Sequence, residues 1–325
     1  MPQFVTGLTS GVTSICTGIS HSCAVHNGAA KCWGAAFDGR LGNGVQAGSF
    51  LTPANVVGLS SGVVDITCGA SFTCALLQNQ TVMCWGAAGY LGRGAYTQAS
   101  TPVPVVNLVN VDRIFSSRYA TCAAVNSSST TYCWGEQFYG QLGDGVTAGV
   151  ANSPTKMAPL DFAGTGTVAS FGGGFYFNCG VNSTEWANCV GYNSGGGLGD
   201  GTISNSAVPV PVIGLGNQVK QIANSWRTRV NCAVLTTGEA KCWGTFSGCC
   251  IGNGTSTAVT SLTPVSVIGP DDYKFIGVGD FHTCAVRGPN NEVWCWGIAN
   301  NGRLGNNVTS GNFAAPQPVV YGEIL

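Results

Sequence analysis

Residues 23–34 read CAVHNGAAKCWG, and this pattern of a cysteine, a short turn, a second cysteine and a final glycine returns along the whole chain. Six copies are visible, beginning at Cys23, Cys74, Cys122, Cys179, Cys232 and Cys284. Their first cysteines lie 51, 48, 57, 53 and 52 residues apart. This period, with short alternating segments and no long helical pattern, is typical of one multi-stranded sheet per repeat. The sequence therefore predicts an all-β fold, a β-propeller with one blade per copy.

The cysteines of each copy are predicted to staple a hairpin. In the first copy, pairing Cys23 with Cys32 leaves Asn27-Gly28 as a two-residue loop, the preferred sequence of a type I′ turn. Cysteines directly opposed on neighbouring strands approach the separation that a disulfide requires. A zinc site is the alternative, but zinc knuckles use closer spacings than nine to eleven residues. The six predicted bridges are Cys23-Cys32, Cys74-Cys84, Cys122-Cys133, Cys179-Cys189, Cys232-Cys242 and Cys284-Cys295.

Four cysteines remain outside these hairpins. Cys16 and Cys68 occupy nearly equivalent places before the first two hairpins, so they either bridge neighbouring blades or stay as two buried thiols. Cys249 and Cys250 are adjacent, and a vicinal disulfide between them is open in the same way.

A glycine-framed turn follows each hairpin, and a Pro-Val strand follows the turn. The turns end at Gly44, Gly94, Gly145, Gly201, Gly254 and Asn307, as in DGRLGNG and YGQLGDG. The order of hairpin, turn and strand resembles the regulator-of-chromosome-condensation repeat over essentially all 325 residues. Members of that family commonly have seven blades, so a seventh stays open beside the six that the hairpins predict. The fourth copy departs from the pattern, with Val190 in place of tryptophan.

The resemblance also implies two kinds of function, and the features of this sequence agree better with one of them. The best-known family activity, nucleotide exchange on a nuclear GTPase at chromatin, requires a reducing compartment and a basic surface. Secreted bacterial relatives act instead as protein-binding rings, one of them an inhibitor of β-lactamase. With 16 cysteines, the chain fits the second, extracellular kind.

Charge and hydropathy exclude further classes of function. Charged residues make up 8% of the chain and the formal net charge is −1, so no basic field exists to hold nucleic acid. No apolar stretch approaches the length of a membrane span. The first residues lack the features of a signal peptide, and we expect a leader, or more of a longer protein, to precede them. We expect one domain over residues 1–325.

Several residues were weighed as sites and are predicted to be structural. His21 and His282 share one repeat position with Phe72 and Phe177, which indicates packing rather than metal or acid-base chemistry. Asp38, Asp144 and Asp200 recur around the glycine turns, where turn bonding competes with calcium binding. No catalytic or cofactor motif is present. We therefore expect no enzyme activity, cofactor or metal.

Tryptophans form two groups. Trp33, Trp85, Trp134, Trp243 and Trp296 follow the second cysteine once per blade, which favours blade-to-blade packing over a sugar-binding platform. The repeat pattern does not place the other three, Trp186, Trp226 and Trp294, which are candidates for exposed contacts.

Five sequons for N-glycosylation fall in predicted loops, at Asn79, Asn126, Asn182, Asn253 and Asn307. The first three lie at the tips of hairpins two to four, and we expect glycans there to mark a rim that does not bind the partner.

These patterns predict a non-catalytic extracellular structural or protein-interaction module, for example in a surface coat, adhesin or filamentous appendage. A carbohydrate-binding lectin and a secreted protein inhibitor are the alternatives. Both chain ends, PQFVTGL from Pro2 and PQPVVYG from Pro316, resemble the Pro-Val strand. Six hairpins need six such strands, so one is surplus. It could fold back as an irregular tail, belong to a seventh blade completed by missing sequence, or join a neighbouring subunit in a homo-oligomer or fibre.

Overall fold

The computed structural model describes residues 4–125, 130–158, 168–246, 251–255 and 260–320. The chain falls into two compact units, Met1–Asp161 and Phe162–Leu325. Each unit contains three four-stranded antiparallel sheets in which the strands are neighbours in chain order. This is the β-propeller architecture that the sequence predicts, with six blades in the described residues. One domain over residues 1–325 stays a prediction.

The first unit contains sheets 1 to 3. Sheet 1 has β1 (Val12–Thr17), β2 (His21–His26), β3 (Ala29–Ala35) and β4 (Ser49–Asn55). Sheet 2 has β5 (Val63–Cys68), β6 (Phe72–Leu77), β7 (Val82–Gly86) and β8 (Ala99–Pro104). Sheet 3 has β9 (Arg113–Ser116), β10 (Ala120–Val125), β11 (Thr130–Glu136) and β12 (Val150–Lys156).

The second unit contains sheets 4 to 6. Sheet 4 has β13 (Val168–Gly173), β14 (Phe177–Asn182), β15 (Ala187–Gly191) and β16 (Ser206–Pro211). Sheet 5 has β17 (Val219–Asn224), β18 (Arg229–Leu235), β19 (Ala240–Thr245) and β20 (Thr260–Ser266). Sheet 6 has β21 (Tyr273–Val278), β22 (His282–Arg287), β23 (Glu292–Ile298) and β24 (Asn312–Pro318).

The turn chemistry of the first hairpin explains its register. Asn27 and Gly28 have φ values of 50° and 76°, the two positive angles that a type I′ turn requires. Cys23 then lies opposite Cys32, and Val25 opposite Ala30. The prolines of the Pro-Val segments fall in the fourth strand of each sheet, at its edge, where a missing N–H leaves no ladder bond unmade.

The structure contains the six hairpin disulfides at the predicted pairs, with Cα atoms 4.0 to 4.1 Å apart. Cys16 and Cys68 form a seventh bridge, which joins β1 of sheet 1 to β5 of sheet 2. The sulfurs of Cys16, Cys23 and Cys68 lie close together, but each is in a disulfide and offers no thiolate to zinc. Cys249 and Cys250 lie outside the described residues.

Neighbouring sheets pack through a repeated apolar contact. In the first unit, Val25 on the disulfide face of sheet 1 is buried in one cluster with Ile66, Ala75 and Trp85 of sheet 2. In the second unit, Val234 of sheet 5 is buried with Ile276, Ala285 and Trp296 of sheet 6 in the same way. The tryptophan after the second cysteine is therefore a packing residue, as its spacing predicts. Sheet 1 is an exception, since Ile15 is 62% exposed and Trp33 half-buried.

For the surplus Pro-Val segment the described residues agree with an irregular tail. Residues 4–11 form no strand, whereas residues 312–318 are β24, the fourth strand of sheet 6, and pair with β23. Joining of a neighbouring subunit stays a prediction. The described part of the chain also contains no helix with the length and apolar character needed to cross a bilayer.

Removing the bridge between sheets should cost more stability than removing a hairpin bridge. The Cys16–Cys68 loop spans 52 residues and the Cys74–Cys84 loop spans 10. In the chain-entropy model these closures are worth about 4 and about 2.7 kcal/mol. We expect the double substitution Cys16→Ala/Cys68→Ala to lower the free energy of unfolding more than Cys74→Ala/Cys84→Ala does, as measured by denaturant titration. Equal losses would contradict this account.

Candidate interaction surface

Each sheet has two ends that the connectivity makes different. Strands 2 and 3 are joined by the short hairpin at one end, which we call the hairpin end. Strands 1 and 2, and strands 3 and 4, are joined at the other, which we call the turn end, because consecutive strands are antiparallel. The glycine-framed loops between strands 3 and 4 are the longest connections, so the turn end carries most of the loop residues.

Arginines and lysines are separated between these ends. Six of the eight arginines lie at the turn end of their sheet, namely Arg40, Arg93, Arg118, Arg227, Arg229 and Arg303. All five lysines lie in strands, toward the hairpin end: Lys31, Lys156, Lys220, Lys241 and Lys274. Every one of these residues is in the described ranges. Arginine is enriched and lysine depleted at protein interfaces, so this distribution marks the turn ends as the interface-like surface.

Aromatic residues are also concentrated at the turn ends. Tyrosines at the turn ends are Tyr90, Tyr96, Tyr119, Tyr139, Tyr176 and Tyr192, and exposed phenylalanines there are Phe37, Phe138 and Phe281. Aromatic side chains present large contact area with little rotamer freedom, and with arginine they dominate binding hot spots. We name the arginines and aromatic residues of the turn ends the arginine-aromatic surface, and treat the part in each unit separately.

In the first unit this surface is built on a stack between sheets 2 and 3. The Phe72 and Tyr90 rings are stacked at 5.0 Å, and Tyr90 stacks on Tyr119 at 6.2 Å. The Arg118 guanidinium lies 5.1 Å from the centre of the Tyr119 ring, within cation-π range. The Tyr90 hydroxyl donates to Glu136 at 2.8 Å, and burial raises the pKa of the Glu136 carboxyl. The stack therefore places Arg118 beside the Tyr119 ring and near the Glu136 carboxyl.

Arg40 fixes the neighbouring loop of sheet 1. It is 7% exposed, and its guanidinium donates to the Phe37 carbonyl, to Ser20 and to Asp38, each at 2.8 Å. These three bonds hold the loop with the Phe37 ring 55% exposed. Arg40 is therefore a structural member of the surface, and Phe37 is the member available for contact.

In the second unit the corresponding cluster lies between sheets 4 and 5. Phe175 and Tyr176 meet edge to face at 4.2 Å, and Tyr176 meets Tyr192 edge to face at 6.5 Å. Arg229 lies 4.9 Å from the centre of the Tyr192 ring and donates to its hydroxyl at 3.2 Å. Ser194 donates to the same oxygen. The ring and the guanidinium hold each other, so this part of the surface is preorganised.

Sheet 6 adds a second aromatic-arginine pair. The Arg303 guanidinium lies 5.2 Å from the centre of the Phe281 ring, and Phe281 is 44% exposed. Beside it, Asp280 accepts from Ser225 at 3.3 Å and lies 3.8 Å from Arg227, which is largely exposed. A surface ion pair of this kind contributes little to stability, so the cost of exchanging it for a partner's carboxylate is small.

Sequence reasoning missed this surface, although the signal was present. The sequence analysis used only the net charge of the chain, which argues against nucleic acid as a partner. It did not consider the positions of the arginines within each repeat. Counting each arginine from its nearest cysteine hairpin would have shown that most fall just before the hairpin or in the glycine loop after it.

The residues that the sequence predicts to be structural pack inside their sheets. His21 is 3% exposed, its Nε2 lies 2.9 Å from Thr73 Oγ1, and Phe72 and Phe177 are buried at the same position. Burial lowers the pKa of His21 to about 4, with a further contribution from Arg40. Burial also lowers the pKa of His282, which is half-buried.

The aspartates of the glycine turns bond to their own loops. Asp144 accepts from the Val146 N–H at 3.0 Å, and Asp200 accepts from the Thr202 N–H at 3.0 Å. Asp38 pairs with Arg40. These contacts are the turn bonding that the sequence predicts.

The three tryptophans outside the pattern differ in exposure. Trp186, at a hairpin end, is 46% exposed, while Trp226 and Trp294 are half-buried. The Trp294 N–H donates to Glu292 at 3.1 Å, and the Arg287 guanidinium lies over its ring at 4.9 Å. Trp226 lies at the turn end of sheet 5 and is part of the arginine-aromatic surface.

The sequons are not equivalent in the structure. Asn79 and Asn307 are exposed, and Asn253 is partly exposed. The prediction that Asn182 lies in an open loop is wrong. Asn182 is the last residue of β14 and is 7% exposed. Its Oδ1 accepts from the N–H groups of Thr184 and Trp186, which turns the side chain into the hairpin. Asn126 lies outside the described residues.

Acid should destabilise the protein through His21. The pKa in the folded state, about 4, lies below the ordinary value of 6.5, so the unfolded chain binds the proton more tightly. Stability from this group is complete above pH 6.5 and is lost as the pH falls toward 4, by up to about 3 kcal/mol. We expect His21→Phe, which copies sheet 2, to flatten the fall in unfolding free energy between pH 7 and 4. His282 is unchanged in both proteins, so a profile that His21→Phe leaves unaltered would contradict this.

Glycan occupancy should follow exposure. On secretion from a eukaryotic host, we expect Asn79→Gln, Asn253→Gln and Asn307→Gln each to remove one glycan, and Asn182→Gln to remove none, because its amide is buried. Intact-mass spectrometry before and after glycosidase treatment measures this. A glycan on Asn182 would show that the hairpin end opens before modification.

Comparison with known proteins supports the repeat assignment. Sequence profiles of the regulator of chromosome condensation (RCC1) repeat match residues 27–76, 63–90 and 273–303. The ultraviolet-B receptor UVR8 of Arabidopsis thaliana is 28% identical over 361 residues, covering 93% of this chain and 80% of the receptor.

Solved structures agree in fold. Human WBSCR16 superposes with a TM-score of 0.80 at 19% identity, over 97% of this chain and 83% of that one. Yeast RCC1 (Prp20), solved with Kap60, gives 0.79 at 16% identity, over 96% and 76%. The matched profiles fall on sheets 1, 2 and 6, and sheets 3, 4 and 5 repeat their strand order, hairpin disulfide and glycine loop. The chain is therefore a β-propeller that is similar to the regulator-of-chromosome-condensation repeat proteins, with profile matches on sheets 1, 2 and 6.

Proposed function

We propose that the chain is a non-catalytic interaction module of an oxidising extracellular space, which binds a partner protein through its arginine-aromatic surface. The observation that carries this proposal is the separation of the cations: arginines gather with tyrosines at the turn ends, while lysines lie toward the hairpin ends. A requirement for solubility alone would not distinguish the two cations. A protein-binding surface does, because arginine stacks on rings and pairs bidentately with carboxylates.

The extracellular setting rests on cysteine chemistry. Seven disulfides in the described residues require an oxidising compartment to form and persist. The exposed sequons suit the same setting, where glycans would supply the solubility that so few charged residues cannot. A surface coat, adhesin or appendage is the kind of structure in which such a module serves.

Related structures support a protein as the partner. Yeast Prp20 was solved bound to Kap60, and its binding to Gsp1p and histones is also described. This chain shares the fold of Prp20 at 16 to 17% identity, so it shares a scaffold and no particular partner. The partner we propose for this chain is a protein with exposed carboxylates and apolar side chains, which suit arginines and aromatic rings.

Matched variants separate this surface from the rest of the molecule. We expect Arg118→Ala/Tyr119→Ala in the first unit, or Phe281→Ala/Arg303→Ala in the second, to weaken partner capture at least about tenfold. The control Lys220→Ala/Lys274→Ala removes two cations from the hairpin ends and should leave capture unchanged. Immobilised wild type and variants are incubated with secreted proteins from the native source, and captured proteins are compared by quantitative mass spectrometry, after equal melting temperatures are confirmed.

Three outcomes decide the proposal. A protein retained by wild type and by the lysine variant, and lost with an arginine-aromatic variant, supports it. A protein lost only with the lysine variant places the contact at the hairpin ends and overturns it. Binding to a glycan array that Trp186→Ala abolishes would make the chain a lectin, which also overturns it.

A further inference from the structure

The hairpin disulfide of sheet 1 has a third cysteine beside it in the strand ladder. Cys23 lies opposite Cys32 on one side and opposite Cys16 on the other, so three cysteines form one row across β1, β2 and β3. In the other sheets the first strand has no cysteine at this position, which is occupied by Thr67, Phe115, Gly172, Ala223 and Gly277. Sheet 1 therefore has an arrangement of sulfurs that the repeat does not provide in the other described sheets.

A fourth sulfur reaches this row from sheet 2. Cys16 is bonded to Cys68, which we call the inter-sheet bridge, and Cys23 is bonded to Cys32, which we call the sheet-1 hairpin bridge. The sulfurs of Cys16, Cys23 and Cys68 all lie within 4.8 Å of one another, so Cys23 has both sulfurs of the inter-sheet bridge as neighbours. Among the residues that the structure describes, no other hairpin disulfide has a third cysteine sulfur so near.

The two bridges differ in their access to solvent. Both cysteines of the hairpin bridge are 0% exposed in each of sheets 1 to 5. In the inter-sheet bridge Cys68 is 2% exposed, whereas Cys16 is half-buried. A thiolate must approach a sulfur atom in order to attack it. A thiol in solution can therefore attack the inter-sheet bridge at Cys16, while the sheet-1 hairpin bridge is closed to direct attack.

We propose that Cys16 is a modification site for low-molecular-mass thiols, and that its modification opens the buried sheet-1 hairpin bridge through Cys68. After the reaction Cys16 carries the small thiol in a mixed disulfide, Cys23 is bonded to Cys68, and Cys32 is a free thiol. Sheets 1 and 2 stay joined, while β2 and β3 lose the disulfide between them.

The reaction consists of two exchange steps. In the first, the thiolate of the small thiol attacks Cys16 Sγ, a mixed disulfide forms, the Cys16–Cys68 bond breaks, and Cys68 leaves as a thiolate. In the second, the Cys68 thiolate attacks Cys23 Sγ, a Cys23–Cys68 bond forms, and the Cys23–Cys32 bond breaks. Cys32 leaves as a thiolate and takes up the proton that the small thiol released. Each step exchanges one disulfide for another, so the reaction needs no oxidant and no second reductant.

Attack at Cys16 releases the sulfur that is placed for the second step. Cys68 lies opposite Thr73 on the neighbouring strand of sheet 2, and Thr73 Oγ1 lies 3.7 Å from Cys23 Sγ. Cys68 and Thr73 thus meet the sheet-1 hairpin bridge together. Because Cys68 leaves as a thiolate, it is already in the form that attacks disulfides.

Sheet 3 repeats this contact without the sulfur. Ser116 lies opposite Thr121, and Thr121 Oγ1 lies 3.8 Å from Cys74 Sγ of the hairpin bridge in sheet 2. Ser116 therefore occupies the position of Cys68, one sheet further along the chain. The hairpin bridge of sheet 2, Cys74–Cys84, is the matched control for that of sheet 1.

The first test follows the bridges in the folded, full chain. The protein is incubated with reduced glutathione in mildly alkaline buffer, quenched with acid and alkylated, and its disulfide-linked peptides are quantified by mass spectrometry over time. We expect glutathione on Cys16, a linked Cys23–Cys68 pair, and opening of the sheet-1 hairpin bridge at least about tenfold faster than that of sheet 2. Equal opening rates would overturn the proposal. A linked Cys16–Cys23 pair would also overturn it, because it would place the first attack at Cys68.

A variant without the inter-sheet bridge gives the control. In Cys16→Ser/Cys68→Ser we expect the opening rates of the two hairpin bridges to become equal, since neither then has a third sulfur beside it. The ratio of the two rates is measured within one molecule, so a general loss of stability does not produce this result. A ratio that stays at its wild-type value would contradict the proposal.

The second test examines the exchange step alone and transfers it to sheet 2. Cys16→Ser leaves a thiol at Cys68, and Ser116→Cys places one at the equivalent position beside Cys74. Without any added thiol, we expect alkylation to find the free thiol shared between Cys68 and Cys32 in the first variant. In the second we expect it to be shared between the introduced cysteine and Cys84.

Ser60→Cys, in an exposed loop, controls for exchange between molecules and should keep its thiol at the site of substitution. A thiol that also stays at its original site in both test variants, with circular dichroism spectra like that of the wild type, would overturn the proposal.

Discussion

One contact fixes the architecture of each unit: the tryptophan of one sheet enters the disulfide face of the sheet before it and donates its N–H to a main-chain carbonyl there. Because Trp85 is fully buried, its N–H needs that acceptor, and the Arg40 carbonyl provides it. The glycine of the Leu-Gly motif follows from the same contact. A Cβ on Gly42 would lie 2.8 Å from the Trp85 Nε1, and φ at Gly42 is +66°. The Leu-Gly motif thus needs its glycine because the tryptophan of the next sheet packs against that position.

The hairpin disulfide makes that contact rigid, and it takes up little exposed surface because it is buried within the sheet. In sheets 1, 2, 4 and 5 it lies under the residues that the following sheet covers, and it fixes the register of strands 2 and 3. The turn-end loops hold the next sheet through main-chain groups such as the Arg40 carbonyl and the Gly44 N–H, so the composition of their side chains can follow function. Arg229 and Tyr192 show the result: two turn-end residues from neighbouring sheets hold each other in place while staying partly accessible. A binding surface on such a scaffold loses little entropy when a partner arrives.

The repeat made most of the fold predictable, because cysteine spacing fixes register and register fixes which face each side chain occupies. The pairs Cys23-Cys32 and Val25-Ala30 could be read from Asn27-Gly28 alone. Two features escaped. Asn182 looks like a loop residue by position, but its Oδ1 competes for the N–H groups of the hairpin tip and draws it inward. The arginine-aromatic surface escaped because it is assembled from neighbouring sheets, and no single repeat contains the pair of Arg229 with Tyr192.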